Sequence, residues 1–384
     1  MKHNWEYKRL GSFLKTTSGG TPLKGVSEYY DNGTIPWLRS GEVCKKEILD
    51  CEIYITQKAV DESSAKFIPA NSVVMAMYGA TAGQVGIIRQ VMTTNQAICS
   101  IFPSPFYSQD FLYYFLSSLK DKLVEQAYGA AQPNISQTII KSLYIPVPQM
   151  KTQDQIVAEL DQINDLIAKN RELLSQLDAL AQSLFYDTFG DPSVNPKSFP
   201  LCALSDICDV ISTGITYKPE MVAEDGTIVL RSSNIQESKF VLDDIVRVQM
   251  QLKETQYVKK NDILMCSRNG SARLVGKACL IPELSERMSW GAFMTIIRSK
   301  YFHYLFHYFR LPAFREQLKK TKTSTVNQIT IGMLKGIKLP FPPLALQEDF
   351  AAKVEAIEAQ KAKIEAEIAE LQTLLDARMD YWFN

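Results

Sequence analysis

Two long stretches of the chain place apolar residues at steps of three and four and contain neither proline nor glycine, from about residue 152 to 186 and from about residue 346 to 382. This spacing puts the apolar side chains on one narrow stripe of an α-helix, which is typical of a helix that pairs with another helix. At about 1.5 Å per residue, each helix would be a rod roughly 50 Å long. The pattern predicts two coiled-coil helices.

The apolar stripe can be assigned residue by residue. The predicted pairing residues are Ile156, Leu160, Ile163, Ile167, Asn170, Leu174 and Leu177 on the first helix and Phe350, Val354, Ile357, Lys361, Ile364, Ile368 and Leu371 on the second. If the two helices pair antiparallel about the axis of the duplication, we predict that Asn170 faces Lys361 and Ala181 faces Phe350, because a lone polar layer fixes the register of a coiled coil. The alternative is that each helix packs on its own domain as an ordinary amphipathic element.

The chain contains two copies of one sequence pattern. Leu38-Arg39-Ser40 recurs as Leu230-Arg231-Ser232, Val73-Val74-Met75 as Ile263-Leu264-Met265, and Ile145-Pro146-Val147-Pro148 as Leu339-Pro340-Phe341-Pro342. The order is kept throughout, with Leu10 matching Leu204 near the start and Gln153 matching Gln347 near the end. A repeat of this length indicates a tandem duplication.

Each copy mixes short strand-like runs, such as 72–77 and 263–265, with predicted helices at 111–124 and 301–318. A proline-containing segment ends each copy, since proline cannot continue an interior strand or helix. The sequence therefore predicts an α+β protein, in which an α/β domain followed by a long helix is duplicated and the two helices pair as an antiparallel coiled coil. The predicted boundaries are 1–148 and 191–343 for the domains and 149–190 and 344–384 for the helices.

Net charge is zero, with 42 basic and 42 acidic residues, but the charges are unevenly placed. Residues 191–345 carry 21 basic and 14 acidic side chains, whereas residues 346–384 carry 4 and 9. The first domain region is slightly basic and the first helix acidic. Because phosphate binding needs only local positive potential, the pattern is compatible with two DNA-facing domains joined by acidic helices.

The composition limits the class of protein. Hydrophobic residues make up 46% and charged residues 22% of the chain, and no apolar run approaches the roughly 20 residues that cross a membrane. The first residues lack the apolar stretch of a secretory signal, and the seven cysteines have no paired spacing. We therefore expect a cytoplasmic protein without membrane contact.

No catalytic motif is recognisable. The glycine-containing segments 79–86 and 270–278 have the wrong spacing for a dinucleotide fingerprint or a P-loop. His303 and His307 lie four residues apart, as in a metal pair on a helix, but no third ligand stands nearby, so a structural role is favoured. We expect no catalytic residues and no metal in this chain.

Several segments, taken in order, resemble the specificity subunits of type I restriction–modification systems. They include Ser18-Gly19-Gly20-Thr21-Pro22 and its counterpart at Ser212, the run Ile35 to Glu42, the loop ending Gln84-Val85-Gly86-Ile87, and Gln132-Pro133-Asn134-Ile135-Ser136. The resemblance covers essentially the whole chain. The second copy departs from the pattern at 268–271 and 323–330.

The resemblance implies a non-catalytic subunit that reads double-stranded DNA, with one half of a bipartite target bound by each target-recognition domain. It implies two modification subunits, carrying an S-adenosylmethionine-dependent adenine methyltransferase, and two restriction subunits, using ATP and Mg²⁺. This chain itself would bind no cofactor. The paired helices would set the distance between domains and dock the modification subunits.

Sequence is read by side chains at base edges, while basic residues on phosphates hold the register. The predicted DNA-binding residues are Arg39, Ser40, Tyr78, Gln84, Gln132 and Asn134 in the first copy and Arg231, Ser232, Arg268, Arg273, Lys320, Lys322 and Asn327 in the second. Arg39 and Arg231 could instead pair with a carboxylate and shape their loop, and the other positions could be ordinary solvated loops.

Two other functions fit parts of the pattern. A tandem-domain coiled-coil scaffold could bind protein partners and no DNA, although the basic charge of residues 191–345 opposes this. The chain could also be a fragment of a single-chain restriction–methylation enzyme, but the catalytic domains of such an enzyme would need several hundred further residues.

Overall fold

The computed structural model describes residues 3–127, 134–320 and 327–384. The chain forms two units, one made of Met1–Arg171 with Glu365–Asn384 and the other of Glu172–Ile364. Each unit therefore combines one copy of the repeat with parts of both long helices.

The first copy contains eleven strands and five short α-helices among its described residues and continues into the first long helix. In chain order these elements are β1 (Tyr7–Arg9), α1 (Leu10–Phe13), β2 (Thr16–Ser18), β3 (Ile35–Leu38), β4 (Glu47–Ile48), β5 (Tyr54–Ile55), α2 (Gln57–Glu62), β6 (Phe67–Ile68), β7 (Ser72–Ala76), β8 (Val85–Ile88), β9 (Met92–Thr94), β10 (Ile98–Ile101), α3 (Gln109–Ser118), α4 (Lys120–Ala127), α5 (Gln137–Ser142), β11 (Tyr144–Pro146) and α6 (Met150–Phe189). The strands form sheets of order β2-β10-β7-β8-β4, β5-β3-β9-β6 and β1-β11.

The second copy repeats this layout. Its elements are β12 (Leu201–Ala203), β13 (Val210–Thr213), β14 (Val222–Leu230), β15 (Ile235–Gln236), β16 (Lys239–Phe240), β17 (Arg247–Val248), β18 (Ile263–Cys266), β19 (Ala278–Leu280), β20 (Met288–Trp290), β21 (Met294–Arg298), α7 (Phe302–Arg310), α8 (Pro312–Lys320), α9 (Ile331–Lys335), β22 (Lys338–Pro340) and α10 (Leu344–Phe383). The order β13-β21-β18-β19 matches β2-β10-β7-β8, and β12-β22 matches β1-β11. The matching topology confirms the predicted duplication and the α+β fold.

The central strand of each copy is the apolar run seen in the sequence. All five residues of β7 and all four of β18 are buried, as expected for a strand covered on both faces. An asparagine with positive φ precedes each strand, Asn71 at 61° and Asn261 at 67°. Asparagine tolerates this left-handed conformation better than most residues, so the repeated asparagine allows the same turn before the central strand in both copies.

The helices predicted at 111–124 and 301–318 are each divided in two. In the first copy, Leu119 separates α3 from α4. In the second copy, Leu311 is extended, with ψ of 152°, and Pro312 begins α8. A residue before proline avoids the helical region, which explains the second break.

The proline-containing segments form edge strands that lead into the long helices. β11 pairs antiparallel with β1, and β22 with β12. At the start of each long helix a buried glutamine side chain donates to a proline carbonyl, from Gln153 to Pro148 and from Gln347 to Pro342, both at 2.8 Å. The matched glutamines of the repeat thus fix the entry into both helices.

Each long helix has 40 residues, slightly more than the sequence pattern predicts. α6 ends before Gly190, which has φ of 77° and donates its backbone N–H to the carbonyl of Tyr186. Glycine adopts this left-handed conformation at a helix end without steric cost.

In the first unit, α6 and α10 run antiparallel. Glu159 binds Arg378, with 3.0 Å from Oε2 to Nη2, and accepts a hydrogen bond of 3.0 Å from the indole of Trp382. Eleven residues further along α6, the side chain of Asn170 donates to Glu367 at 3.4 Å. Residue numbers rise on one helix as they fall on the other, so the predicted orientation is confirmed for this unit.

In the second unit the same orientation holds. Lys361 lies 2.9 Å from Asp178, and Phe350 contacts Phe185 and Phe189, with ring centroids 5.7 and 5.0 Å apart. Of the predicted seam residues of this unit, Leu177, Val354 and Ile357 are among those that are buried, whereas Leu174 is half-buried.

The predicted register is wrong by about one heptad. It would place Asn170 beside Lys361 and Ala181 beside Phe350, and would set Glu159 against Gln372. Instead Glu159 binds Arg378, and the side chain of Lys361 reaches Asp178 and Glu358. A long lysine side chain can leave the apolar layer to find carboxylates at its edge, so it does not need a polar partner within the layer.

Candidate nucleic-acid interface

A cleft of about 1130 Å³ opens in the second unit, where three loops meet. These loops follow β14, β18 and β20, and the lining is completed by Asp244, Asn327 and residues 215–217 after β13. The lining residues include Tyr217, Arg231, Ser232, Asp244, Arg268, Asn269, Phe293 and Asn327. Four of the predicted DNA-binding residues, Arg231, Ser232, Arg268 and Asn327, therefore line one cleft.

The first loop is a tight turn that begins at Arg231. The backbone N–H of Arg231 donates to the Asn234 side chain at 2.8 Å, and the Asn234 amide donates to the carbonyls of Val241 and Asp244, both at 3.0 Å. The guanidinium of Arg231 lies 2.6 Å from the Asp244 carboxylate. Asp244 is the sole acidic residue among the described residues that line the cleft, and it is bound to Arg231.

The second and third loops meet at Arg268 and Phe293. The N–H groups of Ser267 and Arg268 both donate to the carbonyl of Phe293, at 2.9 and 3.0 Å. The Arg268 guanidinium lies 5.2 Å from the centre of the Phe293 ring, a cation–π contact. Asn269 donates to the Ser232 hydroxyl at 3.2 Å, and Arg268 forms a β-bridge with Gln328. These contacts join the loops into one surface.

The first unit carries a smaller cleft of about 420 Å³ at the corresponding strand ends. Its lining includes Lys24, Tyr30, Trp37, Arg39, Asn95 and Gln96. Arg39 lies 3.0 Å from Glu42 and also binds Glu52, and the hydrogen bond to Glu42 raises the pKa of Arg39. Burial raises the pKa of nearby Cys51 to about 11, so its thiol stays protonated near neutral pH.

Loop contacts in the first unit match those of the second. The hydroxyl of Thr81 donates to the carbonyl of Ser40 at 2.9 Å, as Asn269 donates to Ser232. Tyr78 forms a β-bridge with Asn134, as Arg268 does with Gln328. The same three parts of the repeat are therefore brought together in both copies, with different side chains.

A sequence model of the family described as "Type I restriction modification DNA specificity domain" matches residues 2–179 and again residues 196–373. The chain belongs to this family. The two matches coincide with the two copies of the repeat, so each copy is one specificity domain.

The curated relatives to which this chain is similar are specificity subunits of type I restriction enzymes. The specificity subunit of the type I restriction enzyme MjaIX from Methanocaldococcus jannaschii is 22% identical, over 97% of this chain and 91% of the relative. The EcoR124I/EcoR124II specificity subunit from Escherichia coli is 31% identical, over 42% of this chain and 41% of the relative.

Solved structures share the fold. The S subunit of a type I restriction–modification system from M. genitalium is similar with a TM-score of 0.52 at 17% identity, covering 98% of this chain and 95% of that one. A chain from a study of complex assembly and conformational transition of the type I R-M system gives a TM-score of 0.61 at 18% identity, covering 99% and 97%.

Five of the remaining predicted residues lie on loops of the two specificity domains, outside the cleft linings. Tyr78 is exposed, Gln84 and Ser40 are half-buried, and Asn134 and Arg273 are exposed. Lys320 is the last residue of α8. Gln132 and Lys322 lie outside the described residues.

The carboxylate pairing that the sequence left open for Arg39 and Arg231 is present in both copies, while DNA contact by either arginine stays a prediction. Each arginine is paired with a carboxylate and shapes its turn, yet its side chain is more than a third exposed and lines a cleft. Because the carboxylate compensates the charge, these two arginines are weaker candidates for DNA contact than Arg268.

Sequence reasoning missed the loop between β9 and β10 and its counterpart between β20 and β21. Asn95 and Gln96 line the first cleft, and Gly291, Ala292 and Phe293 line the second. The loop is short, carries no basic residue and falls in a gap between the recognisably repeated segments of the sequence. The hydrogen bond from Met77 N–H to the Ala97 carbonyl, matching that from Ser267 to Phe293, shows the equivalence in the fold.

His303 and His307, the spaced pair noted in the sequence, both lie on α7 but have different surroundings. His303 contacts Glu355 at 3.1 Å, and burial lowers the pKa of His307 to about 3. Within residues 3–127, 134–320 and 327–384, no three metal-binding side chains come together, and no helix is long and apolar enough to span a membrane.

Proposed function

We propose that this chain is the non-catalytic DNA-sequence-specificity subunit of a cytoplasmic type I restriction–modification complex. Each specificity domain binds one half of a bipartite target in double-stranded DNA. The observation that carries the proposal is the repeated cleft, because the two copies keep the loop scaffold and change the side chains that line it. Two readers of different half-sites need this combination.

In this proposal, catalysis belongs to other subunits. Two modification subunits supply the S-adenosylmethionine-dependent adenine methyltransferase, and two restriction subunits supply ATP- and Mg²⁺-dependent translocation and cleavage. The resemblance and the family membership support this division of labour. This chain contributes recognition and geometry and binds no cofactor itself.

α6 and α10 fix the spacing of the half-sites and dock the modification subunits. Their acidic surfaces support a role outside DNA binding, because negative charge is repelled by phosphates. In the second unit, Leu173 and Leu180 are 41% and 52% exposed and lie seven residues apart on one face of α6. Leu173→Glu with Leu180→Glu should weaken capture of the modification subunit, whereas Leu201→Glu, an exposed leucine on β12, should not.

The proposal is tested by assembling the chain with its modification subunits. Methylation mapping of DNA exposed to this complex should give a bipartite motif with a fixed spacer, and binding to that motif should weaken as salt rises. A complex that binds no DNA and methylates no motif would instead support a protein-interaction scaffold.

A further inference from the structure

The β20–β21 turn of the second domain places an aromatic ring in the larger cleft. Phe293 is 58% exposed, although its backbone carbonyl is held by three hydrogen bonds, from the N–H groups of Ser267 and Arg268 and from the Ser267 hydroxyl at 2.9 Å. The ring is therefore presented from a rigid turn. A single exposed phenylalanine is ordinary on a protein surface, so its surroundings decide its meaning.

Those surroundings are cationic and polar. The Arg268 guanidinium stacks on the ring, and the sole carboxylate among the described lining residues is bound to Arg231. Arg268 thus brings positive potential to the place where the ring is exposed. A cleft that combines an apolar ring with an available guanidinium suits a base edge of DNA better than a neutral apolar peptide.

The first domain offers an internal comparison. Ala97 occupies the equivalent position, with its carbonyl bonded to Met77 N–H, and it is buried at 8% exposure. The backbone position is the same, but a small buried side chain in one copy is a large exposed one in the other. Structural constraints are shared by both copies, so the difference points to what each copy binds.

We propose that Phe293 is a specificity-determining residue that contacts the C5-methyl group of one thymine in the half-site read by the second domain, while Arg268 holds the ring in place. This inference rests on the proposed function. The thymine methyl is the one apolar group on the major-groove edge of the base pairs, and phenylalanine is among the side chains that read it. The first domain, with Ala97 buried, makes no such contact at this position.

The experiment uses the assembled complex and a duplex carrying its mapped motif. Each thymine of both half-sites is replaced, one at a time, by deoxyuridine, which lacks only the methyl group. At one position this should weaken binding by the wild-type complex about fourfold, the effect of one buried methyl group. The Phe293→Ala complex should bind the two duplexes equally at that position.

The controls separate the possible failures. Phe106→Ala removes another exposed phenylalanine, 74% exposed and outside both clefts, and should keep the wild-type response. Unchanged wild-type binding at every deoxyuridine, or an equal response by wild type and Phe293→Ala, overturns the inference while a mapped bipartite motif leaves the proposed function standing. Absence of any motif overturns the proposed function itself.

Discussion

Arg268 and Arg231 line the same cleft but differ in charge compensation, and this difference predicts separate effects on DNA binding. Arg231 lies 2.6 Å from Asp244, whereas Arg268 stacks on Phe293. Arg268→Ala removes an available cation with two donors for a guanine edge. Such a contact contributes about 1–3 kcal/mol of discrimination, so affinity for the mapped target should fall by about 5- to 150-fold.

The matched perturbation is the double substitution Arg231→Ala with Asp244→Ala. Removing Arg231 alone would leave the Asp244 carboxylate facing DNA, so both must go to keep the net charge of the cleft constant. Since a compensated pair adds little to the potential at the DNA, target affinity should change by less than about threefold. Arg287→Ala, an exposed arginine paired with Glu254 outside the cleft, controls for a general loss of positive charge.

Competition binding by the assembled complex measures both effects. The mapped duplex and a scrambled duplex are compared at two salt concentrations. Arg268→Ala should lose affinity mainly for the mapped duplex, because base contacts carry sequence information and phosphate contacts do not. If the double variant loses as much target affinity as Arg268→Ala, or if Arg268→Ala weakens both duplexes equally, the assignment of Arg268 as a base reader is wrong.

Three further predictions concern stability and activity. Lys361 is buried at 5% exposure between the half-exposed carboxylates of Asp178 and Glu358. Because both carboxylates can return to water when the lysine is removed, Lys361→Met should change the free energy of unfolding by less than about 1 kcal/mol. Lys361→Ala should cost about 2 kcal/mol or more through the cavity it leaves, and equal losses in urea unfolding would contradict this reasoning. Burial holds the pKa of His307 at about 3, below the ~6.5 of an unfolded histidine. Above pH ~6.5 the imidazole is neutral in both states, but as the pH falls only the unfolded state takes up the proton, so the free energy of unfolding decreases. His307→Gln should therefore flatten the decline of stability between pH ~6.5 and ~4, and parallel curves for wild type and variant would refute the assignment. Finally, the purified chain incubated with S-adenosylmethionine and DNA should transfer no methyl group, and turnover above a mock preparation would refute a non-catalytic role.

The repeated parts of the fold could be predicted because the same physical constraints appear twice in the sequence. The apolar runs Val73-Val74-Met75 and Ile263-Leu264-Met265 became the buried central strands β7 and β18, and the matched glutamines 153 and 347 became the helix entries. The heptad pattern also indicated both long helices. Each of these features depends on neighbours in the same copy or on a simple periodicity.

The helix register depended on contacts that periodicity does not contain. At the end of α6, the buried positions Ala181, Phe185 and Phe189 follow at steps of four, so the apolar face drifts around the helix. Phe185 and Phe189 then pack around Phe350 together with Tyr304 of α7. This aromatic cluster belongs to the second domain as much as to the helices. The heptad pattern contains no information about it, so the pattern alone favoured the register that pairs Asn170 with Lys361.

The candidate interface was predicted in part. Arg231, Ser232, Arg268 and Asn327 were chosen separately from the sequence, and the fold brings them to one cleft. Phe293 was missed because base-reading residues were sought among side chains that can form hydrogen bonds, while its proposed role depends on exposure and on the neighbouring guanidinium. Exposure of a single aromatic residue is a tertiary property that the local sequence does not encode.

Exchange of one domain tests the central claim most directly. Residues 11–144 are replaced by the equivalent segment of another specificity subunit with a known target, and the chimera is assembled with the modification subunits. Methylation mapping should then show one half-site changed to that of the donor, with the other half-site retained. A chimera that alters both half-sites, or neither, would contradict the account of two independent readers in one chain.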